Sequence, residues 1–376
     1  NSISKIRDAN IIFIAVGTPS SRRGDGEADL KFVFSVVKDI SKFLKKGNKQ
    51  LVITKSTVPV GTGKKIQDII CGLRPELINN KDYFVSSNPE FLREGSAIED
   101  FMRPDRVVCG VTDKKAEEIL KELYRPLNLR EAPVLFTDLE SAEIIKYASN
   151  AFLALKVSFI NEIANLCEKT GGNVQMVAKG MGLDNRIGPK FLHPGPGFGG
   201  SCFPKDTRAL YASFKKNKIK NTLVKSVIDF NEDRKISIVN KIKYLLKPNI
   251  KNKVIAFLGV TFKPNTDDLR ESPSLEIIPR LRKLGVKIHA HDPAFNSEFI
   301  KMKEFDKVKW YNNVLEAIKN ADLLVIHTEW NEYRGLDLLK VKKELKNPII
   351  LDLRNIFNLN DMKKFNIKYY GIGFKS

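Results

Sequence analysis

Apolar positions fall into short runs separated by amphipathic stretches. Residues 9–16 form one such run, ending in Gly17-Thr18-Pro19, and its lack of polar alternation predicts a strand buried on both faces, as in a parallel sheet. A helix-like segment over about 30–46 follows, then further runs at 50–54, 82–86 and 106–110. Strands alternating with helices predict an α/β domain around a parallel sheet. From 139 to 170 the period lengthens: Ile144, Ala148, Ala151, Phe152, Leu155, Phe159, Ile163 and Leu166 recur at three- and four-residue steps until Gly171-Gly172. A helix this long is expected to bridge domains or to form a subunit interface. Strand-like runs resume at 253–259, 286–292, 321–328 and 348–354, with a helix over about 274–284. The first two enclose a βαβ unit closing on Asp292, the outline of a mononucleotide-binding half. The expected fold is α/β, with two Rossmann-like parallel-sheet domains joined by a long central helix. Its segments are 1–138, 139–235 and 236–376.

The two ends of the chain invite comparison. Ala9-Asn10 before Ile11-Ile12-Phe13-Ile14 parallels Ala321-Asp322 before Leu323-Leu324-Val325-Ile326. In the second domain an opening βαβ unit of 67 residues precedes Ala321, whereas 8 residues precede Ala9. A first domain truncated at its N-terminus by roughly sixty residues is the expectation, with the glycine-rich phosphate turn and ribose-binding acid among them.

Composition removes several function classes. The apolar runs are far shorter than the about 20 residues of a membrane-spanning helix. The first residues carry neither a charged n-region nor an apolar h-region, so no secretory signal is read. Four cysteines at 71, 109, 167 and 202 include no Cys-x-x-Cys pair, which excludes zinc-knuckle spacing and a disulfide framework and fits a reducing, cytoplasmic setting. Sixty-four lysines and arginines against 44 acids give a net charge of +20. Only 17 are arginine, and no basic stripe interleaved with aromatics is present, so no nucleic-acid partner is expected. His289 and His291 share one face of a strand without convergent further ligands, so no metal site is expected.

The densest chemical signal is Gly195-Pro196-Gly197-Phe198-Gly199-Gly200-Ser201-Cys202-Phe203-Pro204-Lys205-Asp206. The glycines let backbone approach a ligand closely. Pro204 suits the first turn of a helix, which places Cys202 at a helix N-terminus, where the dipole and Lys205 both favour thiolate. That is the construction of a nucleophilic cysteine. Cys71, Cys109 and Cys167 read as small buried hydrophobes.

The segment from Gly197 to Asp206 resembles the active-site signature of the UDP-glucose/GDP-mannose dehydrogenase family. The preceding Arg186 to Gly195 stretch is similar to its UDP-glucose members in particular. The resemblance runs in order through Val16-Gly17-Thr18-Pro19, Lys55-Ser56-Thr57-Val58-Pro59, Ser87-Asn88-Pro89-Glu90-Phe91 and Asp268-Leu269-Arg270-Glu271-Ser272. It implies oxidation of a sugar C6 alcohol to a carboxylate with two NAD, UDP-glucose as substrate, and a homodimer. Cys202 would trap the aldehyde as a thiohemiacetal and later carry a thioester. Lys146 and Asn150, four apart on the long helix, match the family's catalytic pair and would stabilise an oxyanion. Asp206 would hold a water or polarise the lysine. Asn88-Pro89 reads as a helix cap and first-position proline, with Glu90 and Glu94 one turn apart. Glu90 becomes the candidate base for thioester hydrolysis and Thr57 the residue positioning its water. The resemblance puts Thr18, Thr57, Glu94, Lys205 and Arg270 on the cofactor. It puts Glu90, Phe91, Leu92, Arg93, Glu94, Lys146, Phe191, Leu192, His193, Pro194, Gly195, Gly199, Lys263 and Arg354 on the substrate, with Arg186 reaching a neighbouring subunit's site.

Three alternatives compete with that reading. GDP-mannose and UDP-N-acetylmannosamine are rival substrates within the family. β-Hydroxyacid dehydrogenases also carry a lysine and an asparagine on a helix, and perform a single oxidation without needing Cys202. An inactive nucleotide-sugar-binding remnant follows if the glycine-rich turn is missing.

Overall fold

The computed structural model of the 376-residue chain describes residues 3–21, 26–128 and 132–375. Backbone contacts group it into two compact units. One comprises Asn1–Ala151 with Lys205–Thr222, the other Phe152–Pro204 with Leu223–Ser376.

The first unit holds a five-stranded sheet: β1 (Ile11–Ile14), β2 (Gln50–Thr54), β3 (Tyr83–Ser87), β4 (Val107–Gly110) and β5 (Val134–Thr137), in that spatial order. β1–β2, β2–β3 and β4–β5 are parallel, but β3 meets β4 antiparallel through Ser87 and Gly110, so the expected parallel sheet is in fact mixed. A second expectation also changes. β1 is not buried on both faces, because Phe13 is 44% exposed between buried Ile12 and Ile14. The reason is position: among the described residues β1 pairs with β2 alone. β2 and β3, flanked on both sides, are buried throughout.

The second unit holds six strands: β6 (Val254–Leu258), β7 (Lys287–His291), β8 (Lys309–Trp310), β9 (Leu323–Ile326), β10 (Ile349–Asp352) and β11 (Lys368–Gly371). Their order is β11-β10-β9-β6-β7-β8 and every neighbour is parallel, which is the 3-2-1-4-5-6 order of the Rossmann fold. Asp292 lies just past β7, where such folds place the ribose-binding acid. Here its carboxylate accepts the backbone N–H groups of Val260 (2.6 Å), Thr261 (3.2 Å) and Ala294 (2.9 Å), so it closes its own loop. Burial raises its pKa and these hydrogen bonds oppose the rise.

The long helix runs unbroken from Leu139 to Thr170. The stripe expected from its apolar period is largely exposed: Ile144, Phe152, Phe159 and Leu166 all face outward. The buried face instead carries Leu139, Ala142, Tyr147, Ala154, Ile160 and Ala164, interspersed with Glu143, Lys146, Asn150 and Asn161. Small residues there allow close packing, which a reading of hydrophobic period alone passes over. Among the described residues no helix is long and apolar enough to cross a membrane, and no group of His, Cys, Asp and Glu is arranged to hold a metal ion. Cys109 and Cys167 are buried as expected, whereas Cys71 is exposed on the helix Thr62–Leu73.

Candidate active site

In the first unit the carboxyl ends of β2 and β3 face the buried polar row of the long helix. Glu143, Lys146 and Asn150 are spaced i, i+3 and i+7, so one helix face presents all three. Lys146 is 3% exposed, and its Nζ lies 3.2 Å from Glu90 Oε1. Thr57 Oγ1 makes a long 3.5 Å approach to the same oxygen, while Glu90 Oε2 accepts the Leu92 N–H at 2.6 Å. The Phe91 ring sits under two cations, with the Arg106 guanidinium 3.7 Å and Lys146 Nζ 5.3 Å from its centroid. Asn150 Nδ2 donates to Asp206 Oδ2 at 2.6 Å, and Lys205 Nζ lies 2.7 Å from Asp206 Oδ1. Six of the expected residues are thus joined into two adjoining hydrogen-bonded groups, Thr57–Glu90–Lys146 and Asn150–Asp206–Lys205.

Asn88-Pro89 opens no helix, contrary to expectation: the chain stays irregular until the helix Ala97–Met102. The Asn88 amide is already engaged, accepting from Lys55 Nζ (3.0 Å) and from the Tyr124 hydroxyl and donating to Val108 O (2.7 Å), so it is not free to cap. Glu90 and Glu94 therefore lie on a loop. Arg93 is exposed and paired with Asp100 at 2.6 Å.

Two residues at this site escaped the sequence reading. Glu143 accepts the Gly61 and Gly63 N–H groups at the start of the helix Thr62–Leu73 (2.6 and 2.7 Å) and the Ser87 hydroxyl (3.0 Å). Burial pushes its pKa up to about 7 against those three hydrogen bonds. Burial likewise brings Lys55 down to about 8, opposed by Cys109 and Glu90 and reinforced by Lys146. The only sequence signal for Glu143 was its spacing from Lys146 and Asn150.

An open cleft of about 380 Å³ lies beyond the carboxyl end of β1, lined by Val16, Gly17, Pro19, Phe32, Ser35 and Val36. A side chain at Gly17 would meet nothing within 4 Å, so the loop presents bare backbone. Thr18 Oγ1 donates to Thr57 O at 2.8 Å and ties this loop to the end of β2. A shallow apolar cleft at strand carboxyl ends fits part of a dinucleotide such as NAD.

In the second unit, the loop 195–200 leads to Cys202, which directly precedes the helix Phe203–Lys216 as expected. A side chain at either of two of its glycines would force a neighbour to move. A Cβ on Gly199 would lie 2.4 Å from the Glu271 carbonyl oxygen, and one on Gly200, held at φ +82°, would lie 2.8 Å from the Phe262 ring. Cys202 is half-buried, its Sγ 3.5 Å from Ser201 Oγ. The Phe203 ring is 5.9 Å from that of Phe191 and 6.1 Å from that of Phe198. Phe191 itself adopts φ +65°, a strained conformation for a bulky residue.

The remaining expected residues of this unit are dispersed in character. Leu192 is a core residue, so only its backbone is open to a ligand. Pro194 and Gly195 are buried and His193 is exposed. Arg354 donates to the carbonyls of His327 (2.9 Å) and Phe262 (3.1 Å) and pairs with Glu329 at 3.0 Å. Lys263 is half-buried over the Phe262 ring. Arg270 and Arg186 are exposed and paired with Asp268 (2.9 Å) and Asp184 (2.6 Å).

Residues 1–128 match the NAD binding domain of the UDP-glucose/GDP-mannose dehydrogenase family, residues 140–233 its central domain and residues 256–359 its UDP binding domain. The chain is 48% identical over 367 residues to the UDP-glucose 6-dehydrogenase of Rhizobium meliloti (strain 1021), covering 97% of this chain and 82% of the relative. It is 46% identical over 370 residues to UDP-glucose 6-dehydrogenase TuaD of Bacillus subtilis (strain 168), covering 98% and 78%. The solved structure of a UDP-glucose dehydrogenase from Pyrobaculum islandicum is similar with a TM-score of 0.87 at 34% identity, covering 100% of this chain and 82% of that one. The structure of a UDP-D-ManNAc dehydrogenase from Pyrococcus horikoshii follows at 0.85 and 25%, covering 99% and 83%. With three domain matches in order and relatives near half identical, the chain belongs to the UDP-glucose/GDP-mannose dehydrogenase family and is an NAD-dependent enzyme.

Proposed function

We propose that this enzyme oxidises UDP-glucose to UDP-glucuronate in a four-electron reaction through covalent intermediates on Cys202. The observation that carries this reading is Cys202 at the mouth of a helix, at the end of a loop where a Cβ on Gly199 would run into neighbouring backbone. A single oxidation needs no thiol. NAD, when bound, supplies the hydride acceptor for each oxidation. In the first oxidation C6 loses a hydride and its hydroxyl a proton, giving an aldehyde. The Cys202 thiolate adds to that carbonyl as a thiohemiacetal, and loss of a second hydride leaves a thioester. Water then attacks the thioester, displacing the thiolate and releasing the carboxylate.

Lys146, buried and cationic, and Asn150 stabilise the oxyanions by charge and amide donation. Asp206 orients Asn150 through their 2.6 Å bond. Glu90 takes a proton from the hydrolytic water, with Thr57 beside it to hold that water. Thr18, Glu94, Lys205 and Arg270 serve the cofactor. Lys263 and Arg354 supply cations for the diphosphate. The loop of Phe191, Leu192, His193, Pro194 and Gly195, with Gly199, receives the sugar nucleotide, as do Phe91, Leu92 and Arg93. The exposed stripe of Phe152, Phe159 and Leu166 supports a homodimer, in which Arg186 reaches the other subunit's site.

The test is NADH formed per sugar consumed, with UDP-glucose, GDP-mannose and UDP-N-acetylmannosamine assayed in parallel. Two NADH per UDP-glucose are expected, and Cys202→Ser should lower turnover by more than about a thousandfold. One NADH per sugar with turnover retained in Cys202→Ser would favour the single-oxidation chemistry instead.

A further inference from the structure

Buried backbone outside helices and sheets must find its hydrogen bonds elsewhere. In the loop leading to Cys202 the Gly200 N–H donates to the Arg270 carbonyl at 2.8 Å, and the hydrogen bonds of Gly195 and Phe198 come from three side chains on two helices. Asn161, on the long helix, accepts the Gly195 N–H at 2.8 Å. Arg234, on the helix Leu223–Leu245, donates from Nε to Gly195 O at 3.0 Å and from Nη1 to Asn165 Oδ1 at 2.6 Å. Asn231, one turn before Arg234, uses both ends of its amide on one residue: Oδ1 accepts the Phe198 N–H (2.9 Å) and Nδ2 donates to Phe198 O (3.1 Å), as a neighbouring strand would. All three are almost wholly buried, at 1%, 4% and 5% exposure for Asn161, Arg234 and Asn231. Gly197, at φ +121°, is so close that a Cβ there would lie 2.7 Å from Asn231 Oδ1. Complete burial lowers the Arg234 pKa to about 10 against the pull of Glu168, so the guanidinium remains charged near neutral pH.

We infer that Asn161, Asn231 and Arg234 are positioning residues that hold the 195–198 backbone to two helices and thereby set the place and reactivity of the Cys202 sulfur. This rests on the reading of Cys202 as nucleophile. An internal core needs no such arrangement: apolar side chains would fill the volume, whereas two paired amide contacts fix the loop in register.

The test compares Asn231→Ala with the unaltered enzyme by two readouts. One is kcat and KM for UDP-glucose. The other is iodoacetamide labelling of Cys202, followed by peptide mass spectrometry with exposed Cys71 as internal reference. The inference expects kcat to fall by more than about tenfold, with a smaller change in KM, and the Cys202-to-Cys71 labelling ratio to move by more than about threefold. A folded variant with kcat and ratio unchanged would overturn it. If Asn231→Ala does not fold, the pair Asn161→Ala and Asn161→Asp decides. The aspartate keeps the acceptor for Gly195 N–H and should restore the labelling ratio that the alanine disturbs, so equal ratios in the two would overturn the inference. Should the unaltered enzyme leave UDP-glucose untouched, the proposed reaction falls while the labelling ratio still decides the role of the three residues.

Discussion

β1 and β9 begin from nearly the same sequence, an Ala-Asn or Ala-Asp pair followed by four apolar residues, yet they end in different environments. Every residue of β9 is wholly buried between β6 and β10, whereas among the described residues β1 pairs with β2 alone and leaves Phe13 exposed. Loops at the strand ends of the two sheets also differ. In the second unit Asp292 fills the backbone donors of Val260 and Thr261 in the loop after β6, the strand beside β9, while in the first the loop after β1 borders an open cleft. Burial therefore belongs to a strand's neighbours rather than to its own composition. In the second sheet β9 lies between two neighbours, and in the first the residues described beside β1 leave Phe13 and a cleft open.

The strongest way to break this contrast is to cut equally into both sheets. Phe257 on β6 is fully buried, so Phe257→Ala should cost about 3–5 kcal/mol of unfolding free energy, read from urea unfolding of the whole chain. A loss below about 1 kcal/mol would mean that sheet is less tightly packed than its burial implies.

A smaller effect concerns the two buried carboxylates that bind loop N–H groups, Glu143 in the first unit and Asp292 in the second, both raised in pKa by burial. With its folded value near 7 and an unfolded value near 4.5, Glu143 binds more protons folded than unfolded. Its stabilisation is therefore complete below the unfolded value and lost as pH rises toward 7. Glu143→Gln should remove on the order of 2 kcal/mol of that slope, seen as a flatter Tm profile between pH 4.5 and 7 than in the parent. Parallel profiles in variant and parent would show that the carboxylate ionises normally. The smallest effect is expected at the exposed edge: Phe13→Ala should change unfolding free energy by less than about 1 kcal/mol. A loss near that of Phe257→Ala would erase the distinction between the sheets.

The strands and the long helix were legible because hydrophobic runs and periods are local. The place of Cys202 at a helix N-terminus was legible because Pro204 suits a first helical turn. Two things were not. A helical period does not say which face is covered within the chain: Phe152, Phe159 and Leu166 of the apolar stripe are exposed, and the small residues Ala142, Ala154 and Ala164 are buried instead. Buried polar residues such as Glu143, Asn161, Asn231 and Arg234 look in sequence like solvent-facing ones. Their partners lie 33 to 82 residues away, and only the folded chain shows them. Asn88 failed differently: asparagine before proline is a sound cap signal, overridden by side-chain bonds to Lys55, Tyr124 and Val108.

The chain passes from one unit to the other three times, at Ala151–Phe152, Pro204–Lys205 and Thr222–Leu223, the first two within or at the start of a helix. Neither unit is therefore a contiguous stretch of gene. A fragment ending at residue 151 would keep Lys146 and Asn150 but lose Asp206, leaving a buried amide without its acceptor. No single cut separates the two units as contiguous segments, so a fragment carrying either sheet would lose part of its own unit or keep part of the other.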